Sequence, residues 1–135
     1  KVQVPEHYLL VYNLNRNPRI SNLAVKIAKE KKLQIVNFAH SFCFIPGAKN
    51  VLYPTPNSFL YLFANADYVV TDSFHGTAFS INFNRQFICV PAPRFNSRLR
   101  SVLGLVGLED RLLNDEDDFE IINRMIDYTE INYMR

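Results

Sequence analysis

The 135-residue sequence predicts a three-layer α/β domain with a mainly parallel sheet. Short apolar runs alternate with amphipathic stretches of roughly ten residues, the signature of strand–helix–strand units. The runs are apolar at successive positions, as in strands buried on both faces. Hydroxyl and amide side chains beside prolines mark where helices begin.

Tyr8-Leu9-Leu10-Val11-Tyr12 is the first such strand, and Asn13-Leu14-Asn15-Arg16-Asn17-Pro18 after it has the turn-forming residues and the proline of a loop entering a helix. Ile20, Leu23, Ala24, Ile27 and Ala28 then share one helical face, with Lys26, Lys29 and Glu30 opposite. Leu33 to Phe38 reads as a second buried strand. Ala39 to Tyr53, which contains Pro46-Gly47, reads as a loop with room for a short strand at Asn50 to Leu52. Thr55-Pro56 opens a helix with Phe59, Leu60, Phe63 and Ala64 inward, ending near Asn65. Tyr68 to Thr71 is the next strand, Asp72 or Ser73 a cap, and Phe74 to Phe83 a helix apolar nearly all round, hence mostly buried. Gln86 to Val90 is another strand. After Pro91 to Phe95, Asn96 can cap a helix bearing Leu99, Val102, Leu103 and Val106, which Gly104 and Gly107 weaken or end. Phe119 to Met125 reads as a short helix or an irregular apolar run, and Asp127 with Glu130 matches a capping box for a last helix reaching Arg135. Crossovers between the parallel strands should be right-handed.

The length suits one domain, residues 1–135, with a single core. With 48% hydrophobic and 21% charged residues, disorder is excluded. A net charge of +2 gives no nucleic-acid surface, and Lys29 to Lys32 and Asp115 to Asp118 read as solvated faces or helix ends. Cys43 and Cys89 lie in apolar surroundings without metal or redox spacing, so both are expected buried and reduced. No run is long enough to cross a bilayer and the first residues are not those of a signal peptide. These features predict a cytoplasmic protein with at most peripheral membrane contact. Beginning at Lys1 without an initiator methionine and stopping at Arg135 without a turn or tail signal, the chain reads as an excised domain.

In an open parallel sheet, ligands bind beyond the carboxyl ends of the strands, where loops enter helix amino termini. Four loops qualify: Asn13 to Asn17, Ala39 to Tyr53, Asp72 to Gly76 and Pro91 to Arg98. A helix amino terminus presents unpaired N–H groups and partial positive charge, which favour phosphate or carboxylate. In Thr71 to Gly76, His75 can give or take a proton near neutral pH, while Gly76 lets a ligand approach the backbone. Equally, His75 can cap or pack inside the fold and Gly76 can serve close helix–strand packing. Arg94-Phe95-Asn96-Ser97-Arg98-Leu99-Arg100 sets guanidinium forks around another helix start. Arg98, in the first turn, is the leading candidate, Arg94 and Asn96 are secondary, and Arg16 after the first strand is a further one. His7 and His40 lack ligand spacing, and no metal is expected.

Ala66 to Ile81, containing Thr71-Asp72-Ser73-Phe74-His75-Gly76-Thr77, resembles the core motif of the polysaccharide pyruvyl transferase family. The likeness runs from Pro56 and Phe59 through Phe87-Ile88 to Asn96-Ser97-Arg98-Leu99, Leu103-Gly104-Leu105 and Leu108-Glu109-Asp110-Arg111. It implies the carboxyl-terminal, Rossmann-like half of a two-domain enzyme resembling the GT-B glycosyltransferases, with the amino-terminal half absent and the active site between the halves. It also implies transfer of a pyruvyl group from phosphoenolpyruvate to two hydroxyls of a glycan acceptor as a ketal, in surface or exopolysaccharide biosynthesis, without a cofactor. The histidine matching His75 is the family's proposed acid or base. Ser73 stands where some of the family's transferases carry an arginine, and Ser58 where relatives often carry an acidic residue. The donor would then be held by Arg98 or Arg94, or be a different anion, with Ser73, Gly76, Asn96 and Arg16 as the other expected contacts.

Two alternatives remain open in the sequence. One is a GT-B-like domain using a nucleotide-sugar donor, which the same loops would serve. The other is a catalytically silent module that binds glycan or a partner through Tyr12, Phe42, Phe44 and Tyr53.

Overall fold

The structure, a computed structural model, describes residues 4–14, 17–39, 45, 47–52, 55–91, 97–113 and 119–130. Among these residues, five parallel strands form one sheet in the order β3-β2-β1-β4-β5, namely β1 Tyr8–Tyr12, β2 Gln34–Ala39, β3 Lys49–Leu52, β4 Tyr68–Thr71 and β5 Phe87–Cys89. The expected three-layer α/β class is therefore the observed one. The helices are α1 Pro18–Lys31, α2 Pro56–Asn65, α3 Phe74–Asn82 and α4 Ser97–Val106, followed by 3₁₀ turns at Glu109–Arg111, Phe119–Asn123 and Tyr128–Glu130.

The continuous apolar strands are explained by a core on each face. Leu10, Val36, Phe38, Val69 and Phe87 pack with Leu62 and Phe63 of α2, Ile81 of α3, and Leu99 and Leu103 of α4. Leu9, Val11, Ile35, Val70 and Ile88 pack on the other face with Ile20, Ala24 and Ile27 of α1 and with Leu113, Ile121 and Ile122. Successive residues of a strand point to opposite faces, so both sets must be apolar when both faces are covered. Each fully buried aliphatic or phenyl side chain contributes about 1.5–3 kcal/mol of transfer free energy.

Local chemistry sets the helix starts. Asn17 Oδ1 accepts from Arg19 N at 3.0 Å with Pro18 in the first turn, and Thr55 Oγ1 accepts from Ser58 N at 3.1 Å with Pro56 following. Ser73, not Asp72, caps α3, its Oγ accepting from Gly76 N at 3.2 Å. One expectation is corrected: Leu60, expected on the inner face of α2, is exposed, and Leu62 is buried there instead. The short strand expected at Asn50 to Leu52 is present beside β2 as Lys49–Leu52. Helix α4 passes through Gly104 to Val106 and stops before Gly107, one of the two glycines expected to weaken or end it, where a φ of +72° suits glycine. The Asp127 carboxylate accepts from Thr129 N and Oγ1 in a tight local turn, while the Glu130 side chain of the expected capping box lies outside the described residues. The proposed Asn96 cap, Cys43, the acidic run Asp115 to Asp118 and the end of the last helix lie outside the described residues. Cys89 is buried and free, and burial pushes its thiol up to about 12.

Candidate functional site

Chain order reverses between β1 and β4: β1 is followed by α1 and neighbouring β2, whereas β4 is followed by α3 and neighbouring β5. At such a point the two outgoing loops diverge and leave a crevice at the carboxyl edge. Tyr12 and Thr71 are register partners at this edge, so the β1–α1 and β4–α3 loops start side by side.

A small set of buried polar groups ties these loops together. Thr71 Oγ1 donates to Tyr12 O at 2.8 Å and accepts from Ser73 N at 3.1 Å. Asp72, 3% exposed, accepts from Leu14 N at 2.8 Å. Asn13 closes its own loop, accepting from Asn17 N at 2.8 Å and donating to Asn17 O at 3.0 Å. Buried polar atoms left unpaired cost about 1–3 kcal/mol each, so such pairing holds the edge in one arrangement. The sequence marks Asp72 as a cap candidate in the ligand-facing loop Asp72 to Gly76. Its role as a tie between two loops has no signal in local spacing, because its partner is Leu14.

Helix α3 projects from this edge. His75, in its first turn, is exposed, and its ring meets only rings: Phe74 at 5.5 Å and Phe79 at 6.5 Å between centroids. Among the described residues its imidazole has no hydrogen-bond partner, so the capping and buried-packing readings of His75 do not describe it. Gly76 is different. A Cβ built there would lie 2.5 Å from Thr71 Oγ1 and 3.0 Å from Tyr12 Cδ2. Close approach of α3 to β1 and β4 therefore accounts for the glycine, and the space it leaves is filled by protein. Ser73 is 3% exposed and its Oγ lone pair is engaged at the cap.

Arg98, in the first turn of α4, brings its guanidinium carbon to 4.1 Å from the centroid of the Phe74 ring. Stacking on an aromatic face holds a guanidinium without using its N–H donors. The structure thus gathers Arg98, Phe74 and His75 around the amino terminus of α3, where the helix dipole adds about half a unit of positive charge. Phe74 as the support for Arg98 was not anticipated from the sequence. Arg100 is exposed on α4. Arg94, Asn96 and Arg16 lie outside the described residues, as do His40, Phe42, Phe44 and Tyr53. Tyr12 packs edge-on against Phe38, Phe59 and Phe63.

The opposite edge of the sheet is occupied by structural polar groups. Arg111, 2% exposed, donates to Tyr68 Oη and Phe87 O at 3.3 Å and to Arg124 O. Burial pushes the Tyr68 phenol up to about 12, against the opposing pull of Arg111. A depression of about 420 Å³ there is lined by Lys31, Asp67, Tyr68, Gln86 and Met125, away from His75. No cluster of His, Cys, Asp or Glu suited to a metal, and no helix long and apolar enough to cross a membrane, occurs among the described residues.

Fold and edge together define a Rossmann-like α/β domain with buried polar groups at its topological switch point. Solved structures agree on the fold. UDP-GlcNAc 2-epimerase from Methanocaldococcus jannaschii superposes with a TM-score of 0.64 at 16% identity over 90% of this chain and 38% of its own. The same enzyme in complex with UDP-GlcNAc and UDP gives 0.60 at 17% identity over 76% and 33%. UDP-GlcNAc 2-epimerase from Neisseria meningitidis bound to UDP-GlcNAc gives 0.58 at 11% identity over 90% and 34%. The chain thus spans about a third of the length of these enzymes. A search of curated proteins gives no significant match. The family model for polysaccharide pyruvyl transferase matches residues 1–92, and the chain belongs to that family.

Proposed function

We propose that this chain is the donor-binding and catalytic half of a pyruvyl transferase that moves a pyruvyl group from phosphoenolpyruvate to two hydroxyls of a glycan. Arg98 stacked on Phe74 beside the exposed His75 carries the reading. A fixed cation and a helix amino terminus suit a ligand bearing carboxylate and phosphate. The imidazole, without a hydrogen-bond partner among the described residues, is available to a substrate.

In the reaction, one sugar hydroxyl adds across the enol double bond, its oxygen bonding to C2 while C3 gains a proton. The second hydroxyl then displaces phosphate from C2, its proton leaving with the phosphate, and the ketal results. His75 serves as the acid that protonates C3 or as the base that takes a hydroxyl proton. Arg98 and the first N–H groups of α3 hold the carboxylate and the departing phosphate, stabilising charge where it develops. Thr71 and Asp72 keep the two loops in register around them. An amino-terminal half, outside this chain, would carry the acceptor, and the reaction would take place in the cytoplasm without a cofactor.

Calorimetric titration with phosphoenolpyruvate and with a panel of nucleotide sugars tests this. Saturable binding of phosphoenolpyruvate, weakened in Arg98→Ala and not matched by nucleotide sugars, is the expected result. Selective binding of UDP-GlcNAc, the ligand in two of the similar folds, would instead make this a glycosyl-donor domain.

A further inference from the structure

We infer that Tyr12 is a ligand-binding residue of the site around His75, its phenolic hydroxyl donating a hydrogen bond to an oxygen of the anionic ligand; this rests on the reading of that site given above. Tyr12 is the last residue of β1 and the register partner of Thr71, so it stands at the carboxyl edge where the two loops diverge. Its ring is held on several sides. Phe38, Phe59 and Phe63 meet it edge-on at 5.4, 5.5 and 5.9 Å. Gly76, the neighbour of His75 in α3, closes another side, with Tyr12 Cδ2 3.0 Å from where a side chain would begin.

The hydroxyl is left over by this packing. Tyr8 Oη donates to Leu62 O at 2.6 Å and Tyr68 Oη accepts from Arg111 at 3.3 Å, whereas Tyr12 Oη bonds to no described residue. A ring clamped by three others is packed as well by phenylalanine, and a half-buried phenol ordinarily finds a partner. The position is only half-buried, which leaves the hydroxyl open to a bound molecule. Burial and the neighbouring Asp72 carboxylate hold the phenol above its ordinary range, so at neutral pH it is a donor. The Tyr12 ring meets Gly76, the chain neighbour of His75, and a phenol donor at this edge suits a carboxylate or phosphate oxygen.

Tyr12→Phe tests this, with Tyr8→Phe as the control in which a real protein hydrogen bond is removed. Tyr12→Phe should leave the unfolding temperature within about 1 °C of wild type, while Tyr8→Phe should lower it by roughly 4 °C, the effect of one lost hydrogen bond in a domain of this size. Titrated with phosphoenolpyruvate, inorganic phosphate and UDP-GlcNAc as separate probes, Tyr12→Phe should bind the wild-type ligand about tenfold more weakly or worse, as for a donor lost to a charged oxygen. If only UDP-GlcNAc binds the wild type, the pyruvyl-donor reading fails and Tyr12 is judged by the same loss on that ligand. Unchanged affinity, a fall in unfolding temperature like that of Tyr8→Phe, or no binding of any probe to the wild type would overturn the inference.

Discussion

Replacing Gly76 by alanine is the sharpest test of how α3 is seated. The added methyl would stand 2.5 Å from Thr71 Oγ1, 3.0 Å from Tyr12 Cδ2 and 3.1 Å from Thr71 Cβ. Ordinary carbon contacts are about 3.5–4.0 Å, so the helix must lift by about 1 Å. Neither near neighbour can swing aside: Thr71 is fully buried with its hydroxyl bonded to Tyr12 O and Ser73 N, and the Tyr12 ring is clamped by three phenylalanines. Overpacking of this kind costs about 1–3 kcal/mol. Weakening the two Thr71 hydrogen bonds adds about 1 kcal/mol each. Better helix propensity returns about 1 kcal/mol, leaving a net loss of about 2–4 kcal/mol. The unfolding temperature should fall by about 6–14 °C. Gly104→Ala is the matched control, because its nearest neighbour is Glu109 Oε2 at 3.6 Å, an ordinary contact. In the interior of α4 it should stabilise by about 0.5–1 kcal/mol. Thermal and urea unfolding of both variants decides the matter. A Gly76→Ala protein as stable as wild type, or two equal losses, would refute the account of that contact.

Other perturbations separate structure from site. His75→Ala should leave stability within about 0.5 kcal/mol, as for an exposed residue without a described partner, while lowering ligand affinity or turnover. Arg111→Met strands Phe87 O and Arg124 O at the opposite edge; it should cost about 3 kcal/mol in urea unfolding yet leave ligand affinity unchanged. Cys89, its thiol pushed up to about 12 by burial, should react with a thiol reagent at pH 8 only at the rate of unfolding, measured in a Cys43→Ala background. The hydrogen bond to Asp67 raises the His7 pKa above 6.5. Its stabilisation is therefore complete below pH of about 6.5 and lost as pH rises through the folded value, and Asp67→Asn should abolish that dependence and lower the His7 titration seen by NMR.

Much of this architecture was legible in the residues. The strand Tyr68 to Thr71 and the helix starts at Pro18 and Pro56 follow from apolar runs, side-chain caps and prolines, which are local and survive any tertiary context. The limits of Gly104 as a breaker show the reverse, since burial of Leu103 holds α4 together beyond a residue of poor propensity. The site was legible in part. His75 and Arg98 stand out as residue types at helix starts, but the stacking of Arg98 on Phe74, the tie from Asp72 to Leu14 and the seat of Gly76 on Tyr12 join positions far apart in the chain. Strand order creates those neighbours, and no local spacing encodes it. The membership of Arg111 in a buried network at the other edge was hidden for the same reason.

The proposed site binds an anionic donor against His75 and Arg98. The most direct measurement follows the imidazole signals of His7, His40 and His75, assigned by single substitution, while phosphoenolpyruvate is titrated into the isotope-labelled protein. Saturable movement of the His75 signal, with His7 unmoved and the effect weakened at least tenfold in Arg98→Ala, is the predicted result. A His75 signal indifferent to phosphoenolpyruvate at saturating concentration, or one that moves equally in Arg98→Ala, would contradict the account.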